Sequence, residues 1–253
     1  MTIVITTSLG QNPRLIEEAL LLSQKTGYPF IERRKQSVKS FLKDYDGVIL
    51  IYNTKMVLVN QDGSELTFHP DTAMLRLKSS HDALLSLIGT ESLEILDTTM
   101  GLASDSLVMA SAGHKVKALE SQPLIHLIVS HGLATYTSGN AALDAAMRSI
   151  QTDCCYSLEY LKKQPDKSLD IIYCDPMFTE TITESENLSG LKPLANYGPI
   201  TDEFVSEAKR VAKKKIIIKA HFRDSVFERF GFERQVRSNQ KFHYGLINLE
   251  EEK

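Results

Sequence analysis

Residues 93–120 read LEILDTTMGLASDSLVMASAGHKVKALE, and the order of patterns within them decides the architecture. A short apolar, β-prone run ends in Asp97, and a turn of small residues leads to Ala103. Leu107, Val108 and Ala110 then recur at helical spacing, and a second β-prone run ends in Glu120. A strand that ends in Asp97 and a turn through Thr99 and Gly101 let a ligand approach the backbone. The helix that follows, opening with Ser104 and Asp105, offers unpaired N–H groups and a positive dipole end. An acid at the tip of the second strand, here Glu120, is the ribose-diol acceptor of nucleoside-binding doubly wound folds.

The alternation continues outward from this unit. Strand patterns at 149–154, 169–174 and 214–219 are interleaved with helical patterns at 123–134, 140–148, 157–163 and 201–211. Such an order predicts an α/β fold with a parallel sheet covered on both faces. Residues 232–236 and 243–249 form a strand pair with no helix between them, which predicts an antiparallel strand at the sheet edge. Upstream lie strands at 3–6, 47–52, 56–59 and 66–68, a helix at 13–25, and a turn at Asn60-Gln61-Asp62-Gly63. Residues 1–70 are therefore expected to form a small α/β domain, residues 71–253 the main one, and 69–88 a mostly helical link.

The 253 residues are 42% hydrophobic and 24% charged, an ordinary globular composition. Charges such as Lys25, Asp46, Lys55 and Asp97 interrupt each apolar stretch before it reaches membrane-spanning length. The first residues, MTIVITTSLGQNP, read as a strand and not as an export leader, so a cytoplasmic protein is expected. Cys154, Cys155 and Cys174 lie in apolar stretches without metal spacing and are expected to be buried, reduced thiols. The seven histidines show no metal spacing either, so no metal is expected. The net charge of −3 gives no global argument for a polyanion. Residues 201–245 nevertheless hold eleven Lys/Arg against six Asp/Glu, a basic C-terminal stretch that faces either a polyanion or solvent.

The absence of G-x-G-x-x-G disfavours a nicotinamide cofactor. The discriminating motif is Leu169–Phe178, LDIIYCDPMF. The residue before a proline is held extended, so Asp175 and the Pro176 carbonyl point together into a cleft at the strand's carboxyl end, while Phe178 supplies a face for stacking. Two acceptors beside an aromatic platform suit a flat exocyclic amine, whose lone pair they orient toward an electrophile. Lys219 and His221, at another strand tip, either contact substrate phosphate or are simply solvated.

DTTMGLASDS and ALESQP, taken with IIYCDPMF, resemble the class I S-adenosylmethionine-dependent methyltransferases. With FHPDTAMLRLK, KKIIIK and KFHYGLI added, the chain from about His69 onward resembles the small-subunit rRNA guanine-N2 methyltransferases and their Gram-positive relatives with a small N-terminal domain. The resemblance implies a seven-stranded methyltransferase sheet, S-adenosyl-L-methionine as cofactor, and RNA, specifically rRNA, as partner. It also implies that Ser104 and Asp105 hold the methionine end, Glu120 and Ser121 the ribose, and Tyr156 and Ser157 the adenine region. Asp175 would form the cleft floor beside the methyl group. Ala103 stands where relatives have glycine, Thr179 follows DPMF, and Tyr156 replaces an acid for which Asp153 is the substitute. The expected activity is methyl transfer to guanine N2. The alternatives are another amine, such as adenine N6 of DNA or a protein side chain, and a non-catalytic nucleoside- or RNA-binding protein with the same fold.

Overall fold

A computed structural model describes residues 1–8, 12–176, 194 and 200–250. These residues form two compact units, one of Met1–His69 with Leu127–Thr137, the other of Pro70–His126, 138–176 and 200–250.

In the first unit, β1 (Ile3–Thr7), β2 (Gly47–Ile51) and β3 (Met56–Asn60) are buried along their whole length, and β4 (Glu65–Thr67) completes a sheet of order β1-β2-β3-β4. β1 and β2 are parallel because α1 (Pro13–Thr26) crosses between them, whereas β2–β3 and β3–β4 are antiparallel pairs. Asn12 accepts a hydrogen bond from the Arg14 N–H (3.1 Å), Pro13 occupies the first turn of α1, and Gly27 ends the helix at φ 76°. Phe41, on the short α2 (Val38–Phe41), packs with Val4, Val48, Leu50, Val57 and Val59 on one face of the sheet.

The second unit begins with α3 (Asp71–Leu77) and α4 (Ala83–Ile88). Asp82 caps α4 by accepting from the Leu84 and Leu85 N–H groups. Strands β5 (Glu94–Asp97), β6 (Lys115–Glu120), β7 (Gln151–Cys154), β8 (Leu169–Cys174) and β9 (Ala212–His221) are all parallel. They are interleaved with α5 (Ser104–Ser111), α6 (Pro123–Thr135), α7 (Ala141–Ser149), α8 (Ser157–Lys162) and α9 (Asp202–Val211). From Leu127 onward α6 belongs to the first unit. A last segment, α10 (Val226–Phe230), β10 (Glu233–Gln235) and β11 (Phe242–Asn248), finishes the sheet. The strand order is β10-β11-β9-β8-β5-β6-β7. β11 runs antiparallel to both neighbours, and the short β10 closes the edge.

The chain winds outward from β5 through β6 to β7, then returns to place β8 against the other side of β5. At that reversal the connections leave in opposite directions, and a crevice opens over the carboxyl ends of β5 and β8. Apolar residues of α9, including Phe204, Val205, Ala208 and Val211, pack with Ile172, Ile216 and Ile218 to hold β8 and β9 in place below it. Helices α2 and α10, of four and five residues, are too short to show a periodic pattern in the sequence. Cys174 is buried as expected, but Cys155 is only partly buried and Cys154 is exposed, because β7 is an edge strand.

Gly245 of β11 lets Phe227 and Phe232 close over the sheet: a Cβ there would lie 2.7 Å from Phe227 Cδ1, 2.8 Å from Phe232 Cβ and 2.9 Å from Ile218 Cγ2. Gly245→Ala should cost about 1–3 kcal/mol through overpacking. Urea unfolding should show a lowered midpoint at an unchanged slope, and a wild-type midpoint would show that α10 does not pack there.

Candidate active site

The crevice is built from the ends of β5, β6, β8 and β9. After β5 the chain is fastened on both sides. The Thr98 N–H and hydroxyl both donate to the Tyr173 carbonyl of β8 (2.9 and 2.8 Å), and the Met100 N–H donates to the Leu119 carbonyl of β6 (2.8 Å). Gly101 and Ala103 then take left-handed conformations, with φ of 49° and 60°. For Ala103, buried and carrying a Cβ, that conformation costs about 1–2 kcal/mol that a glycine would avoid, so the turn is held by its surroundings.

Asp97 is the inner support of this turn. It is 1% exposed, one carboxylate oxygen accepts the Thr99 N–H (3.0 Å), and the other accepts the Ser106 hydroxyl (2.5 Å). Burial pushes its pKa up to about 7 against those donors. Asp97 therefore shapes the turn from below. Thr99 and Gly101 line the turn, and Ser104 sits half-buried at the first position of α5, where the N–H groups lack intrahelical partners.

At the tip of β6, Glu120 accepts the Gly101 N–H (3.1 Å) and the Gln122 N–H (2.8 Å), joining the two turns that flank the crevice. Burial raises its pKa while these backbone donors lower it. Ser121 follows, half-buried. Beyond β7, Tyr156 is 59% exposed at the start of α8, with Ser157 next to it. Asp153 is held by Lys117 at 2.7 Å, so of the two side chains considered for an adenine contact Tyr156 is the one without a side-chain partner among the described residues.

β8 delivers Asp175 and Pro176, both half-buried. The Asp175 N–H donates to the Thr99 hydroxyl (2.6 Å), which fixes this tip against the β5 turn. Phe178 and Thr179 lie outside the described residues. The sequence left Lys219 either at a substrate phosphate or simply solvated, and the structure shows it instead paired with two acids. The Lys219 ammonium is spent inside the site, 2.5 Å from Asp175 Oδ2 and 3.2 Å from Asp105 Oδ2. His221, two residues on, lies tilted at 43° against Phe222, with ring centroids 4.6 Å apart.

Asp105 also accepts from Arg76 Nη1 and from the Tyr173 hydroxyl (2.9 Å), and Arg76 grips Asp82 with Nε (2.9 Å) and Nη2 (3.1 Å). Burial alone would raise the Asp105 pKa, but Lys219 and Arg76 overcome it and hold the group well below the usual carboxylate range. Sequence reading gave no role to Arg76 or Tyr173. Tyr173 looked like one more residue of an apolar strand, and Arg76 lies 29 positions from its Asp105 partner.

The crevice thus gathers Asp105, Glu120 and Asp175 against Arg76 and Lys219, with Asp97 buried beneath the turn. An excess of acid, a backbone-lined turn and an acceptor at the β6 tip fit a ligand with a cationic centre and a vicinal diol, which describes S-adenosylmethionine. Among the described residues no three His, Cys, Asp or Glu side chains are grouped to hold a metal, and no helix is long and apolar enough to cross a membrane.

The family model described as "Putative SAM-dependent methyltransferase" matches residues 56–235. Uncharacterized protein YpiP of Bacillus subtilis is 34% identical over 253 residues, covering 96% of this chain and 98% of that one. Ribosomal RNA small subunit methyltransferase J of Francisella tularensis subsp. novicida is 31% identical over 179 residues, 67% of this chain and 70% of that protein. Matches to two other enzymes of that name span about half of their length. In fold, the crystal structure of a SAM-dependent methyltransferase from Neisseria gonorrhoeae superposes with a TM-score of 0.61 at 17% identity, over 99% of this chain and 97% of that one.

The raised pKa of Asp97 has a measurable consequence. The folded protein holds this proton up to about pH 7 and the unfolded chain releases it near pH 4. The stability it contributes is complete below the unfolded value and is lost as pH rises through the folded one. Asp97→Asn should therefore gain on the wild type between pH 5 and pH 7, by at most about 1.4 kcal/mol per pH unit. Urea unfolding at each pH measures this, and a pH-independent difference would contradict the buried state of Asp97.

Proposed function

The chain belongs to the SAM-dependent methyltransferase family, and from that premise we propose that it methylates an exocyclic amine of a nucleobase, guanine N2 in ribosomal RNA. The observation that carries this reading is the β8 tip, where Asp175 and Pro176 stand at the strand-order reversal beside the β5 turn. The family resemblance and the names of the rRNA methyltransferase relatives support the choice of substrate.

S-adenosylmethionine supplies, when bound, a methyl group on an electrophilic sulfonium. The chain's own residues bind and aim. Glu120 and Ser121 would take the ribose hydroxyls, and Ser104 with the start of α5 the methionine end. Tyr156 and Ser157 would flank the adenine, and Thr99 and Gly101 would let the ligand lie close to the backbone over the support of Asp97. Asp105 acts at this end through the charges it gathers, since both its oxygens already accept hydrogen bonds.

The target amine would donate its two N–H groups to the Asp175 carboxylate and the Pro176 carbonyl, turning its lone pair toward the methyl group. Phe178 would stack on the base. A guanine in structured RNA has to be unstacked or presented in a loop to reach this cleft. The basic stretch 201–245 would follow the phosphates, although Arg210, Arg229 and Arg234 within it are paired with acids.

Asp175 is needed most while the nitrogen attacks, so its loss should fall on turnover and not on RNA binding. Labelled cofactor offered to total RNA, DNA and protein should place the label in N2-methylguanosine of small-subunit rRNA. Asp175→Asn should slow single turnover about a hundredfold, equivalent to about 2.7 kcal/mol, with RNA affinity nearly unchanged. Label confined to DNA or protein would overturn the substrate, and a wild-type rate in Asp175→Asn would overturn the mechanism.

A further inference from the structure

We propose that Lys219 is a positioning residue for methyl transfer: its ammonium, clamped between Asp105 and Asp175, keeps Asp175 ionised and aimed at the amine. This rests on the role given to Asp175 above and adds the group that makes that role possible at neutral pH.

Lys219 sits on β9, paired in register with Tyr244 of β11 on one side and next to β8 on the other. It reaches over the sheet end to both carboxylates, 2.5 Å from Asp175 and 3.2 Å from Asp105. The two acids are not equally dependent on it. Asp105 also receives Arg76 and the Tyr173 hydroxyl, so it stays ionised without the lysine. Asp175 has no second cation among the described residues.

The groups facing Asp175 otherwise oppose its charge. Asp105 of α5 and Asp97 of β5 are acids. Tyr173 and Cys174 of β8 and Tyr244 of β11 are neutral groups whose own protons are held more firmly, chiefly by burial and also by its charge. Arg76 lies beyond Asp105 and is committed to it and to Asp82. Burial and Asp105 raise the Asp175 pKa, Lys219 lowers it, and the balance stands at about 6. Without Lys219 the carboxyl would be protonated at pH 7 and would present an O–H donor to an amine that is itself a donor.

The chemistry needs the acceptor form. The N–CH₃ bond forms from the amine lone pair as the S–CH₃ bond breaks with its electron pair left on sulfur. The nitrogen then gives up one proton to solvent. An ionised Asp175 stabilises the positive charge growing on nitrogen, whereas a protonated one opposes it.

Carbon-13 NMR of labelled aspartate carboxyls in the ligand-free protein, with the Asp175 signal assigned from Asp175→Asn, tests this without catalysis. The Asp175 midpoint should lie near 6 in the wild type, rise by about two units or more in Lys219→Met, and return in Lys219→Arg. The acidic limb of the single-turnover rate should move with it. Lys219→Met should then lose about tenfold or more at pH 7 and recover most of that by pH 9.

An unmoved Asp175 midpoint, or a rate lowered equally at every pH, would overturn the proposal. If Lys219→Met fails to fold, the wild-type titration decides. A midpoint near 6 with Lys219 protonated throughout supports the proposal, and an Asp175 still protonated at pH 8 overturns it. Should Asp175 itself prove dispensable, Asp175→Asn would turn over normally while the midpoint still moved in Lys219→Met, so the two failures are separable.

Discussion

Three carboxylates, Asp82, Asp105 and Asp175, share two cations, Arg76 and Lys219, at the end of the seven-stranded sheet. Each charge taken from water costs several kcal/mol, which mutual attraction returns only where the hydrogen-bond geometry is complete. Here it is complete for Asp105, whose partners come from α3, β8 and β9. The ion cluster therefore ties α3, α5, β8 and β9 together at the place where the strand order reverses. Among the described residues, Asp175 is the member left short of donors.

That imbalance gives the site its chemical character. On the proposed reading, a crevice with more carboxylates than cations would favour the sulfonium cofactor over its thioether product, so the same field that gathers the cofactor would loosen after transfer. On the same reading, the turn between β5 and α5 would place backbone against that ligand. Its left-handed Ala103 is held by hydrogen bonds to β6 and β8 and by Asp97 beneath. Glu120 bridges to the same turn through the Gly101 N–H, so the acceptor at the β6 tip and the turn are positioned as one piece.

The alternating strands and helices from Leu93 onward were legible because each has a clear period and a turn or cap at its ends, and Asp97, Glu120 and Asp175 were legible because they terminate strands. What the sequence hid has physical reasons. The partners of Asp105 lie 29, 68 and 114 positions away, so no local pattern announces them. Lys219 at a strand tip looked solvated because a lone lysine carries no sign of the acids that fold against it. The apolar surface of α6 did not reveal that residues 127–137 join the first unit. Cys154 read as buried because a β-prone stretch does not say whether its strand is central or at the edge.

The account stands on one crevice, formed by the ends of β5, β6 and β8, serving as the cofactor site. A crystal structure with S-adenosylhomocysteine tests that directly. The account predicts the ribose hydroxyls on Glu120, the amino-acid end at the start of α5, the adenine beside Tyr156, and the sulfur facing Asp175. A ligand bound elsewhere, or bound here with its sulfur turned away from Asp175, would contradict it.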